Sequence, residues 1–246
     1  MADARAYRAV AAAFKPRRAD SFNFVRDVIH PLAARRPDAP ALYWTAAGGD
    51  ADIAGFAALA ARAGRAAAGL AAAGVKRGDI VLLILSREKA WWDFVLGALQ
   101  IGAVVSPGTT QLMKKDIAYR LRATNARAVV TNAALAARFD EAAAEAGWRG
   151  ARIVAEGARD GWNSYDDFDG APLTACADTA SAEEALLYFT SGTTGNPKMT
   201  AHGCGYPLGH EATGRFWLRA RQTTVAGTSS AGKAKSRGPA PRVICK

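Results

Sequence analysis

Apolar and polar positions follow two periods along this chain. Short, β-prone apolar runs bounded by turn residues predict strands at Ala41–Trp44, Ile80–Leu85, Ala103–Ser106, Ala128–Thr131, Arg152–Ala155 and Ala185–Phe189. Between them the spacing is helical. Asn23 can cap a helix that carries Phe24, Val28 and Leu32 on one face, with Pro31 disturbing its second half. An alanine-rich helix is predicted from about Ile53 to Ala73, stopped by Gly74. Further helices are predicted at Lys89–Ile101, with Trp91, Trp92, Val95, Leu96 and Leu99 as the buried side, at Asp116–Arg122 and at Asn132–Ala146. The run Ile80–Leu85 has no polar interruption, the pattern of a strand covered on both faces. Strand and helix in alternation predict an α/β fold, a mostly parallel sheet flanked by helices with right-handed crossovers. Ligands of such sheets bind beyond the carboxyl ends of the strands.

Residues 157–180 are polar and loop-rich, and no internal repeat is present. After Trp217 the periodicity ends, and the composition from there to Lys246 predicts a disordered tail. The expected organisation is therefore an N-terminal extension at 1–21, a folded body at 22–217 and a basic tail at 218–246.

Charge changes this picture less than its total suggests. The formal net charge is +10, but Arg215 to Lys246 holds eight basic residues and no acidic one, so the first 214 residues are close to neutral. The only aromatics of that stretch, Phe216 and Trp217, stand at its start, so stacking on bases is not expected and no specific nucleic-acid partner is assigned. With half of its residues hydrophobic, the chain can bury a substantial core, yet no apolar run reaches membrane-spanning length. Cys176, Cys204 and Cys245 are scattered without metal spacing and point to a reducing compartment. Arg5, Arg8, Lys15, Arg17 and Arg18 lie among alanines with Asp3 and Asp20, and no serine precedes Ser21. That segment is read as an amphipathic helix rather than a transit peptide, and a cytoplasmic location is expected.

Candidate chemistry is concentrated where the last predicted strand ends. Ala185–Phe189 empties into Thr190, Ser191, Gly192, Thr193, Thr194 and Gly195, followed by Pro197 and Lys198. Glycines let backbone N–H groups approach an anion, hydroxyls add donors and a lysine supplies charge, which together suit polyphosphate. The loop is not a Walker A motif. Counting from Gly192, Pro197 occupies the second glycine position, and Met199 after Lys198 offers no hydroxyl.

The stretch Tyr188–Lys198 resembles the phosphate-binding signature of the AMP-forming adenylating enzymes. Phe22–Val28, Gly74–Asp79, Gly97–Gly108 and Asp116–Leu121 are similar to other stretches of that superfamily, and Lys198–His202 with Tyr206–His210 is similar to its medium-chain acyl-CoA synthetase branch. The resemblance covers about Asn23 to Trp217. It implies the N-terminal part of the adenylate-forming large domain. It also implies activation of a carboxylic acid with ATP and Mg²⁺ to an acyl-adenylate, then transfer to coenzyme A. Thr190, Ser191, Gly192, Thr193, Thr194, Gly195 and Lys198 match the phosphate-holding loop, and no catalytic residue is carried over. The family's Tyr-Gly-x-Thr-Glu stretch, ribose-binding aspartate, hinge arginine and adenylation lysine have no counterpart here. A truncated or frame-shifted coding sequence is the simplest account, and such a fragment is expected to be inactive alone. The alternative is a non-catalytic remnant whose basic tail binds polyanions.

Other groupings have plainer readings. His202, Cys204 and His210 match no zinc spacing, so no metal site is assigned. Trp91, Trp92 and Phe94 could line an acyl pocket, although aromatics at helical spacing are more often core. Asp166, Asp167 and Asp169 are expected to be solvated, and neither Ser106 nor Ser191 has a nucleophile-elbow setting.

Overall fold

The computed structural model describes residues 4–15, 17–45, 51–168, 175–190, 195–217, 225–227 and 242–244. Two compact units are present, Asp20–Cys204 and a second formed by Met1–Ala19 with Gly205–Lys246.

The second unit contains helix α1 (Ala4–Ala13). In the larger unit α2 (His30–Arg35) follows directly on a π-helical turn at Val25–Ile29. The Asn23 side chain accepts from the N–H groups of Val25 and Arg26 at 3.1 and 3.3 Å, so the predicted cap is present. The buried face is Val25 and Ile29, not the expected Phe24, Val28 and Leu32. The reason is the widened turn, in which the His30 N–H bonds back to the Val25 carbonyl just before Pro31, a residue without a donor.

Strands β1 (Pro40–Thr45) and β2 (Ala51–Gly55) form an antiparallel pair. Helix α3 (Phe56–Ala72) therefore begins later than predicted, because residues 53–55 are spent on β2. Then follow β3 (Ile80–Ile84), α4 (Lys89–Gln100), β4 (Val104–Gly108), α5 (Lys114–Thr124), β5 (Ala128–Thr131), α6 (Ala133–Ala146), β6 (Ala151–Val154), β7 (Asn163–Ser164), β8 (Glu184–Thr190) and β9 (Lys198–Gly203). Residues 163–168, expected as loop, supply β7 and a 3₁₀ turn at Tyr165–Phe168. Helix α7 (Tyr206–Ala212) and the parallel pair β10 (Val225–Gly227) and β11 (Arg242–Ile244) belong to the second unit. In that unit Phe14 meets Phe216 edge to face at 5.0 Å. Apart from 225–227 and 242–244, the predicted disordered tail lies outside the described residues.

The main sheet has the order β7-β6-β5-β3-β4-β8-β9, parallel throughout except at β8–β9. Its central strand shows why one run is wholly apolar. Val81 and Leu83 enter the core formed with α3 and α4, while Leu82 and Ile84 enter the core formed with α5 and α6. Val130 and Ile153 join the first core, Val129 and Val154 the second. Small residues set the spacing of the first layer. A Cβ on Gly97 of α4 would lie 2.7 Å from the Ala66 Cβ and the Ala67 nitrogen of α3, so the alanine-rich helix seats against a glycine. On α4 the buried residues include Phe94, Val95 and Leu96, whereas Trp92 is 44% exposed, contrary to its predicted place on the inner side.

Two polar clusters tie these layers together. Asn23, 2% exposed, donates its amide to the carbonyls of Leu99 (2.9 Å) and Ala177 (3.1 Å), joining the N-terminal segment to the end of α4 and the approach to β8. Between α3 and α4, Asp93 accepts from Arg62 Nε at 2.9 Å and from the Tyr165 hydroxyl at 3.1 Å. Burial raises the Asp93 carboxyl above its ordinary value, outweighing the pull of Arg62 and the hydrogen bonds.

Replacing Asp93 by Ala leaves Arg62 unpaired at the helix–helix contact. A loss of about 3 kcal/mol in urea denaturation is expected, at the low end for buried pairs because Arg62 retains some exposure. At the entry to β8, Glu183 accepts from Arg77 Nε at 2.8 Å and from the Ala180 N–H, and these bonds hold its carboxyl down to about 2. A depressed native pKa stabilises fully above the unfolded value, near 4.5 here, and that stabilisation is lost as pH falls through about 2. The stability gap between native and Glu183→Gln chains should therefore be full at pH 7 and close progressively below pH 4.5, read from denaturation midpoints across that range.

Candidate functional site

Strand β8 lies between β4 and β9 and carries the candidate loop at its carboxyl end. Val105 pairs with Leu186, and buried Ser106 donates its hydroxyl to the Leu187 carbonyl at 2.9 Å. Ser106 thus locks β8 to β4. Ala185 and Leu187 are buried, Tyr188 is 40% exposed and Phe189 half-buried, so the strand emerges from the core as it approaches Thr190.

Past the loop the chain forms a strand to which the sequence pattern assigned no element. Lys198 opens β9, which returns antiparallel along β8 with Thr190 opposite Lys198 and Phe189 opposite Met199. The strand was missed because Lys198–Ala201 is exposed throughout, and an edge strand without an inner face shows no alternation. Of the seven predicted site residues, the structure brings Thr190, Gly195 and Lys198 to one hairpin. The Thr190 hydroxyl donates to the Lys198 carbonyl at 3.3 Å. Ser191, Gly192, Thr193 and Thr194 lie outside the described residues. Gly195 has φ of +88°, a left-handed conformation that disfavours a side chain, and the space around it is open.

Helix α5 supplies neighbours that the motif alone did not indicate. The Tyr119 hydroxyl donates to the Pro197 carbonyl at 3.1 Å and pins the loop exit, while its ring meets Phe189 edge to face at 6.1 Å. The Arg120 guanidinium stacks over the Phe189 ring, 4.5 Å from its centre. Arg120 Nε is buried without a hydrogen-bond partner, and desolvation lowers the guanidinium's pKa from its ordinary value. Both residues fall in the Asp116–Leu121 stretch, but nothing in their spacing shows which strand they face.

The remaining candidates resolve into packing. Phe94 is 1% exposed and packs on Tyr165 at 4.8 Å, so it is core rather than pocket lining. His202 packs edge to face on Tyr188, and His210 on Tyr206 within the second unit. Among the described residues no group of three His, Cys, Asp or Glu side chains could hold a metal. Asp166 and Asp167 are exposed, with Asp166 3.9 Å from Arg65, while Asp169 and Cys245 lie outside the described residues. An open polar depression of about 400 Å³, lined by Arg149, Arg152 and Asn163 among others, sits at the amino end of β6 and not at the hairpin.

An open, mostly parallel α/β sheet flanked by helices defines the class of fold, and comparison with known proteins supplies the family. The AMP-binding enzyme family matches residues 30–224, and the chain belongs to it. It is 37% identical over 226 residues to the human mitochondrial acyl-coenzyme A synthetase ACSM3, a match covering 87% of this chain and 39% of that protein. With human mitochondrial ACSM5 the identity is 34% over 214 residues, covering 83% and 37%. The chain thus spans about two fifths of the length of the curated relatives it matches. Among solved structures, the fold is shared with a Brucella canis acyl-CoA synthetase (TM-score 0.73, 24% identity, 91% of this chain and 41% of that one). It is also shared with the anthranilate CoA ligase AuaEII in complex with anthranoyl-AMP (TM-score 0.71, 22% identity, 82% and 38%).

The comparison corrects one expectation. A cytoplasmic location does not stand, since these curated relatives are mitochondrial proteins. That expectation rested on reading the Arg-rich N-terminal segment as an amphipathic helix rather than a transit peptide, two readings that share the same basic, alanine-rich composition.

Gly195→Ala probes the hairpin directly. With no neighbour to clash, its expected cost of about 1–2 kcal/mol in denaturant unfolding comes from the left-handed backbone alone.

Proposed function

We propose that this chain carries the phosphate-binding part of an AMP-forming acyl-CoA synthetase acting on a carboxylic acid, ATP and coenzyme A. The observation that carries the reading is the hairpin itself. A sequence of hydroxyls and glycines follows β8, the strand next to the sheet edge, and leads to Lys198 on the edge strand β9, in a chain of the AMP-binding enzyme family. In this reading residues 22–217 are the partial adenylation domain. Thr190, Ser191, Gly192, Thr193, Thr194, Gly195 and Lys198 hold the β- and γ-phosphates, and the acid belongs to the medium-chain class handled in fatty acid metabolism.

The chemistry follows from what such a loop can do. Attack of the carboxylate on the α-phosphate leaves pyrophosphate, whose charge must be met as it departs. In this reading the loop's backbone N–H groups and hydroxyls, with Lys198, supply the donors and the charge that meet it. The thiol of coenzyme A then displaces AMP to give the thioester. Mg²⁺ enters this reading with the nucleotide's phosphates, which it binds readily.

Lys198 is exposed and forms no salt bridge among the described residues, so its charge is available to a ligand. Lys198→Ala should weaken binding of inorganic pyrophosphate by about tenfold or more, as expected for loss of a charge-assisted contact. Lys76→Ala, which removes an exposed charge elsewhere, should leave it unchanged. Calorimetric titration at two salt concentrations checks this. Equal, salt-erased effects of both substitutions would indicate general attraction to a basic surface and refute the loop assignment.

A further inference from the structure

Arg120 presents a charge that the fold does not explain. It sits in the middle of α5, half-buried, with its guanidinium on the Phe189 ring and its Nε buried without a hydrogen-bond partner. The Nε atoms of Arg65, Arg152 and Arg159 are buried in the same way, but those arginines have carboxylates nearby. Its Nη1 lies 3.4 Å from the Asp116 carbonyl one turn back, the turn nearer the carboxyl ends of the strands. No salt bridge to Arg120 exists among the described residues, and the Asp116 carboxylate is engaged by the Met113 N–H at 3.1 Å. Several other half-buried arginines of the same unit have carboxylate partners, although Arg138, like Arg120, hydrogen-bonds only to backbone carbonyls among the described residues. Arg62 has Asp93, Arg26 has Asp27 and Asp178, and Arg159 has Asp140. Removing a cation from water without supplying an anion is costly, so such a group commonly marks a binding site.

Its position adds the second argument. Phe189 precedes Thr190, the last residue before the loop, and the adjoining Tyr119 fixes the loop exit through Pro197. Side chains alternate along β8, so Phe189 projects from the face opposite to the Thr190–Lys198 pair. A ligand seated at the Thr190–Lys198 end of the hairpin can thus be approached by Lys198 from one face and by Arg120 from the other.

We infer that Arg120 is a second anion-binding cation of the hairpin, taking a phosphate oxygen of the bound nucleotide or pyrophosphate. This rests on the phosphate-binding role proposed for the loop. The planar guanidinium keeps its stack on Phe189 while its free edge donates, a geometry that lysine cannot reproduce.

The test uses the full chain with inorganic pyrophosphate as ligand, followed by calorimetry and thermal melting. Arg120→Gln should weaken pyrophosphate binding by about tenfold and Arg120→Lys by about threefold, because the charge survives without the fork. The melting temperature of the free chain should not fall in Arg120→Gln, while the upward shift on adding pyrophosphate should shrink. If Arg120→Gln binds like the native chain while Lys198→Ala does not, Arg120 is a packing residue; the inference falls and the loop assignment stands. If neither substitution changes affinity, both fall. Should Arg120→Gln not fold, native affinity in Arg120→Lys together with a lowered melting temperature overturns the inference.

Discussion

A parallel sheet covered by helices on both faces is the constraint on which the larger unit depends. Because Val81 and Leu83 are committed to one core and Leu82 and Ile84 to the other, no face of the central strands is left for a ligand. Binding chemistry is displaced to the strand ends, where backbone and polar side chains meet solvent. The β8–β9 hairpin satisfies that constraint at the side of the sheet where burial fades, from Ala185 at 5% exposed to Tyr188 at 40%.

The polar interactions divide according to whether they are closed. Asn23 and Asp93 are buried and satisfied within the fold, joining segments far apart in sequence. Ser106 closes on the Leu187 carbonyl in the same way. These groups fix which segments meet, and their neutral or paired state leaves nothing for a ligand. Lys198 and Arg120 are of the other kind, charges at the hairpin with no salt-bridge partner among the described residues. Stacking on Phe189 compensates Arg120 only partly, since a cation–π contact is worth about 0.5–2 kcal/mol while desolvating a full charge costs more.

Comparison with known proteins bears on the same region. Family membership extends over residues 30–224, which includes α5, β8 and β9 together. The relatives are longer, and this chain spans about two fifths of their length.

The sequence by itself determined the elements whose burial is periodic and local. β3, β5, β8, α4 and α6 were legible within a residue or two, because apolar runs and helical spacing are read from neighbours along the chain. The hydroxyls, glycines and lysine of the proposed phosphate loop stood out for the same reason, being contiguous in sequence. Tertiary structure alone decided the rest. β2 took the first residues of a predicted helix because β1 offered it a partner, and β9 formed on an exposed edge by pairing with β8. Trp92 turned outward where Phe94 filled the core, a choice made by the close approach of α3 and α4. Arg120 reached Phe189 across 69 positions of sequence through the docking of α5 on the sheet. Periodicity records how much of a side chain is buried, whereas the identity of its neighbour is set by packing between distant segments.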